Sequence, residues 1–341
     1  MSGTAAPGPG IELATPDPAD APPRAPHGSP EQPLGIVIDC DPGHDDAVAI
    51  LLALARPDLR VLGISTVAGN AVLESTTDTA LRVLALVGRQ DVEVAAGAAH
   101  PLHGPLRTAP HVHGESGIEG SPLPAPASTA IAEFAPHAMA RWIRGATGPV
   151  VLVPTGPLTN VALLLDEHPD LRERIAHICL MGGSLTEGNI TPAAEFNIWA
   201  DPEAAAIVFG SGIPLTMIGL DVTHRSIVWE AERRALLDEG GPVARTVAGL
   251  LAYFQGFHER TYGWAGTPIH DAVAVAHLAA PGLVRTAAVN VEIETEGLWT
   301  RGRTVADLRR VTGRAANAHV GLDIDRERFV RILVDAIRSY D

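Results

Sequence analysis

The chain contains no lysine: all 25 of its basic residues are arginine. A P-loop lysine, a Schiff-base lysine and the lysine of most phosphoryl-transfer sites are thereby excluded. Cysteine is almost as scarce. Cys40 and Cys179 form neither a disulfide framework nor a metal pair by spacing, and both sit in apolar strand-like runs that suggest buried free thiols. No apolar run approaches the roughly 20 residues needed to span a bilayer. The start lacks the basic n-region and apolar h-region of a secretory signal. Acidic residues outnumber basic ones 40 to 25, and the net charge of −15 is spread along the chain. It offers no basic face, so neither nucleic acid nor an anionic membrane is expected as a partner. A reduced, cytoplasmic setting follows.

What is present is a large apolar fraction, 46% of 341 residues, enough for a sizeable core. Nine of the 28 prolines fall within residues 1–33, among Ala, Gly and Ser, which predicts a disordered Pro/Ala-rich tail. From residue 34 to 341 one domain is expected. Strands are predicted over 34–38, 60–67, 92–95, 150–154, 175–181, 215–219 and 289–294. Helices are predicted over 45–55, 76–87, 131–145, 159–167, 201–209, 243–260, 270–278 and 326–338. A loop rich in Gly, Pro and His covers 97–126, long enough to suggest a functional role. Strands that are near-continuous apolar runs alternating with helices imply an α/β fold with a central, mainly parallel sheet flanked by helices. In such folds ligands bind beyond the carboxyl ends of the strands. The polar clusters here do follow strands.

The first cluster is Asp39-Cys40-Asp41-Pro42-Gly43-His44-Asp45-Asp46, four carboxylates in eight positions. Like charges this close raise one another's pKa. Helix capping explains one aspartate; the remainder would only repel. A hard divalent ion, Ca²⁺ or Mg²⁺, removes the difficulty. An EF-hand is excluded, since counting from Asp39 puts His44 sixth and Ile50 twelfth where Gly and Glu are required. No G-x-G-x-x-G follows the first strand, against a dinucleotide fold. An aspartate-nucleophile phosphohydrolase would need the missing lysine.

Further on, Asn70 ends a strand, and Pro154-Thr155-Gly156-Pro157-Leu158-Thr159-Asn160 reads as strand end, turn and helix start. Met181 ends another strand and is followed by Asn189 and by Ala194-Glu195-Phe196-Asn197. Glu195 and Asn197 are two apart, so an extended backbone would present both on one side. A carboxylate–amide pair suits the vicinal hydroxyls of a sugar. Late in the chain, His270-Asp271 opens a helix, with Asp271 a spare carboxylate and His270 able to give a proton near neutral pH.

Together with His113-Gly114-Glu115-Ser116-Gly117, these stretches, in this order, resemble the nucleoside hydrolase family of the inosine–uridine-preferring type. The resemblance runs from about residue 35 to the end. It implies a Ca²⁺-dependent ribonucleoside hydrolase acting on the N-glycosidic bond in nucleoside catabolism and purine and pyrimidine salvage, with a ribonucleoside as its small-molecule partner and a homodimer or homotetramer as its assembly. It further implies that Asp41, Asp46, the carbonyl of Thr155 and Asp271 bind the ion, that Asp41 also takes the water's proton, and that Asp39 supports them. Asp45, Asn70, Asn189, Glu195 and Asn197 would hold the ribose hydroxyls, Met181 would line the sugar site, and His270 would approach the base. His113 is a candidate base contact, with His100, His103 and His111 nearby. Two alternatives stand beside this reading: a pyrimidine-specific (uridine/cytidine) ribonucleoside hydrolase, and a nucleoside or ribose binder without turnover.

Overall fold

The computed structural model describes residues 21–114 and 117–341; residues 1–20 of the expected tail, and Glu115 and Ser116 of the histidine-containing motif, lie outside the described residues. Twelve strands run β1 Leu34–Cys40, β2 Leu59–Thr66, β3 Val94–Ala96, β4 Val150–Pro154, β5 Ile175–Met181, β6 Leu215–Ile218, β7 Ile227–Trp229, β8 Gly266–Pro268, β9 Val284–Val289, β10 Val291–Ile293, β11 Thr304–Ala306 and β12 Ala318–Ile324. Eight of them form one sheet in the order β3-β2-β1-β4-β5-β6-β12-β9, all neighbours parallel except β9 against β12. β7 pairs with β8 and β10 with β11 as small antiparallel ribbons.

Side chains of the sheet alternate between two cores, as a pleated strand requires. Ile36, Ile38, Val151, Val153 and Cys179 enter one core, with the helices His44–Ala55, Leu73–Leu86, Pro242–Tyr262, His270–Ala279 and Arg326–Arg338. Val37, Leu152, Ile178 and Leu180 enter the other, with Ala135–Gly145, Thr159–Glu167 and Pro202–Phe209. The single α/β domain with a mainly parallel sheet is therefore observed as expected. Both cysteines are buried free thiols. No helix among the described residues is long and apolar enough to cross a membrane.

Chain order reverses beside β1, which pairs with β2 on one side and β4 on the other. Such a switch point opens a crevice beyond the strand ends, and the aspartate motif leaves β1 there while Thr155 leaves β4. The register puts Asp39 opposite Pro154.

Three expectations differ. The helix predicted from residue 131 begins at Ala135, with extended Phe134 as its N-cap and Pro136 in the first turn, where a missing N–H leaves no bond unmade. The strand predicted over 289–294 is divided between β9 and β10. Residues 21–33 were assigned to the disordered tail, yet they lie against the domain: Ala25 is buried, His27 Nδ1 donates to the Leu278 carbonyl at 2.9 Å, and His319 Nε2 donates to the Pro22 carbonyl at 2.7 Å. Proline-rich backbone cannot join a sheet ladder, but its carbonyls still accept from side chains. Deleting residues 1–33 is expected to lower the melting temperature by about 2–5 °C, the loss of two partly buried hydrogen bonds and a small apolar contact. An unchanged melting temperature in a thermal scan would mean that the docked arm contributes nothing.

Candidate active site

The four aspartates are buried, and each finds a different partner. Asp39 Oδ1 accepts from Ser65 Oγ at 2.7 Å and Asn160 Nδ2 at 2.8 Å. Asp41 Oδ2 accepts from the Asn70 N–H at 2.6 Å, while its Oδ1 is buried with no hydrogen-bond partner among the described residues. Asp46 Oδ2 takes the Gly43 N–H at the start of helix His44–Ala55 (3.0 Å), and its Oδ1 takes Thr155 Oγ1 (2.8 Å). Capping thus accounts for Asp46 alone. Oxygens of Asp45, Asp46 and Asp271 all lie within 4.8 Å of one another.

Burial raises every one of these carboxyl pKa values; charge repulsion within the group adds to it for Asp41, Asp45 and Asp271, while the Gly43 N–H and Thr155 draw Asp46 back. Asp45 is pushed up to about 7, and Asp41 and Asp271 go well above the ordinary range. Asp39 reaches about 7 for the same first reason, opposed by Asn160 and Ser65. The ion ligands expected from sequence were Asp41, Asp46, Thr155 and Asp271. The tight carboxylate group holds two of these, Asp46 and Asp271, together with Asp45. Asp41 remains adjacent, with its second oxygen unpartnered. An all-oxygen donor set holding mutually repelling carboxylates fits a hard divalent cation.

A cleft enclosing about 90 Å³ opens beside this group. Among the residues expected at the site, Asp45, Thr155 and Asp271 line it, as do Asn70, Met181, Asn189, Glu195 and Asn197, and so do His113 and His270. Asp41 and Asp46 are fully buried and do not reach its surface. Glu195 is on extended backbone, but Asn197 already lies in the helix that follows it. Glu195 is the N-cap of helix Phe196–Ala200, Oε1 accepting from the Asn197 N–H and Oε2 from those of Gly183 and Ile198, and burial raises its pKa to about 7. Asn197 Nδ2 donates to the carbonyls of Thr155 (2.7 Å) and Met181 (3.2 Å), which leaves its Oδ1 for a ligand. Asn189 Oδ1 accepts from the Phe196 N–H.

The opposite end of the cavity is aromatic. Helix Pro242–Tyr262 contributes Phe254, Phe257, His258 and Tyr262, joined by His224. The i, i+3, i+4 spacing of 254, 257 and 258 on a helix carries this signal; His224 had none. His270 Nδ1 lies 2.8 Å from Thr223 Oγ1. Burial, then the neighbouring His224, His258 and His113, hold His270 well below the usual histidine pKa. The loop over 97–126 is pinned by Asp201, which accepts from the Leu102 N–H and Thr159 Oγ1, each at 2.7 Å. It delivers Ala109, His111, Val112 and His113 to the cavity; His100 and His103 are exposed and do not line it.

The fold and this cleft define a nucleoside-cleaving hydrolase, and the comparisons agree. The family model for inosine-uridine preferring nucleoside hydrolase matches residues 36–331, and the chain belongs to that family, as a ribonucleoside N-glycosidase. The chain is 49% identical over 307 residues to the pyrimidine-specific ribonucleoside hydrolase RihA of Shewanella baltica, covering 90% of this chain and 96% of that one. It is 47% identical over 308 residues to the protein of the same name from Salmonella paratyphi B, covering 90% and 99%. Among solved structures, the purine-preferring ribonucleoside hydrolase from Gardnerella vaginalis superposes with a TM-score of 0.84 at 32% identity, covering 90% of this chain and 98% of that one.

Asn160 holds the base of the site together, because its amide joins Asp39, the Thr66 carbonyl and the Ala98 N–H. Asn160→Ala leaves these buried groups short of partners, at a cost of about 2–4 kcal/mol. The melting temperature should fall by roughly 3–6 °C; a drop under about 1 °C would show that water replaces the amide without loss.

Proposed function

We propose that the protein hydrolyses pyrimidine ribonucleosides, uridine and cytidine, to ribose and free base with the help of Ca²⁺. The observation that carries the reading is the pairing, in one cleft, of a buried oxygen-donor group with an aromatic wall. One end suits an ion and sugar hydroxyls, the other a flat base. The pyrimidine preference is supported by the relatives at 47% and 49% identity, both named as pyrimidine-specific, against 32% for the purine-preferring structure.

Asp41, Asp46, Asp271 and the Thr155 carbonyl would hold the ion, with Asp45 close enough to share it. Bound there, Ca²⁺ supplies a water of lowered pKa and a seat for the ribose 2′- and 3′-hydroxyls. Asp41 Oδ1 accepts the proton of the attacking water. Asp45, Asn70, Asn189, Glu195 and Asn197 orient the hydroxyls, and Met181 packs against the sugar. Glycosidic cleavage develops positive charge on the ribose, and the carboxylates of Asp41 and Glu195 stabilise it. His270, receiving a hydrogen bond from Thr223 on Nδ1, presents Nε2–H to the departing base. A cytoplasmic setting and a homodimer or homotetramer belong to the same reading.

A binder without turnover would release no ribose. A reducing-sugar assay with uridine, cytidine and inosine is expected to give kcat/KM for the pyrimidines at least about tenfold above inosine. Equal or faster inosine cleavage would contradict the pyrimidine preference, and release of no sugar from any nucleoside would contradict hydrolysis.

A further inference from the structure

We infer that His44, which does not itself line the cavity, is the positioning residue for His113 in the base pocket. The inference rests on the reading of the cavity as a nucleoside site and adds to it a residue outside its lining. The His44 ring bridges two elements. Its Nε2 lies 2.6 Å from the Glu119 carbonyl, an atom that only accepts, so Nε2 carries a proton. Its Nδ1 is then the bare nitrogen, and across 3.0 Å it accepts the Nδ1–H of His113. That bond fixes the His113 tautomer and leaves its Nε2 as the ring nitrogen with which His113 can meet a base.

Packing holds the pair in one orientation. The His44 ring stacks on His113 with centroids 5.2 Å apart, and on Tyr253 and Phe254 at 5.2 and 5.4 Å. The Tyr253 hydroxyl donates to Glu119 Oε2 at 3.1 Å, so the helix behind His44 and the loop beneath it are tied together. His113 is seated on Gly43, where an added Cβ would come within 2.6 Å of Nδ1. His44 therefore connects the aspartate motif, the 113–120 loop and the long helix, and it acts on the substrate only through His113.

Three variants of the full chain test this with two substrates: uridine, whose base must be recognised and stabilised as it leaves, and p-nitrophenyl riboside, whose leaving group departs without help. His44→Phe keeps a stacked ring but offers His113 no nitrogen. Its kcat/KM on uridine should fall at least about tenfold and on p-nitrophenyl riboside less than about threefold. His44→Asn has an amide short enough to meet His113 Nδ1 only, and should recover uridine cleavage to within about threefold of the parent. His44→Gln, which reaches the Glu119 carbonyl instead, should not recover it. Equal losses on both substrates, an unchanged uridine rate in the Phe variant, or Gln outperforming Asn would overturn the inference. If the Phe variant does not fold, the order of Asn over Gln decides. Failure of the parent protein to cleave uridine bears on the proposed function alone, and the comparison then uses whichever nucleoside it does cleave.

Discussion

Four aspartates and a fifth carboxylate from a distant helix share one buried region at the end of β1, and their mutual repulsion is the constraint to which the surroundings respond. Asn160 and Ser65 hold Asp39, the Asn70 N–H holds Asp41, and Gly43 and Thr155 hold Asp46. These bonds lower the cost of each charge but do not cancel it: burial still raises all of the carboxyl pKa values. Removing so many carboxylates from water without a counter-charge would be severely unfavourable. Together they are a donor set in need of a cation.

The sheet topology explains why this cluster can also be a reactive site. Strand order reverses between β1 and β4, so the helices that follow them diverge and leave a crevice. The oxygen donors occupy its base, and the polar side chains of Asn70, Asn189, Glu195 and Asn197 line it. The aromatic end comes from elsewhere, from helix Pro242–Tyr262 and the 97–126 loop. Loops and outlying helices can change without disturbing the sheet. That division is consistent with relatives of differing base preference sharing one fold.

Much of the polar site was legible in the sequence because its residues follow strand ends in short contiguous motifs, where strand and helix periodicity place them without knowledge of distant contacts. Ten of the twelve residues expected at the site line the cavity, and the other two lie buried beside it. What escaped depends on long-range packing. Strand β12 sits inside the sheet and was not anticipated, because it is no continuous apolar run: Ala318, Val320, Leu322 and Ile324 alternate with His319, Gly321 and Asp323. The depressed pKa of His270 follows first from its burial and then from three other histidines gathered from separate elements. The docking of residues 21–33 through the Pro22 carbonyl and the His27 ring leaves no mark on periodicity.

The central claim is that the carboxylate group holds a divalent cation. Calorimetric titration of chelator-treated, desalted protein with Ca²⁺ tests it most directly. The account predicts a saturable site of about one ion per chain, and it predicts that Asp271→Ala, which removes one of the three clustered carboxylates, abolishes that heat while the variant still unfolds cooperatively. No saturable binding, together with full nucleoside cleavage in the presence of chelator, would contradict it.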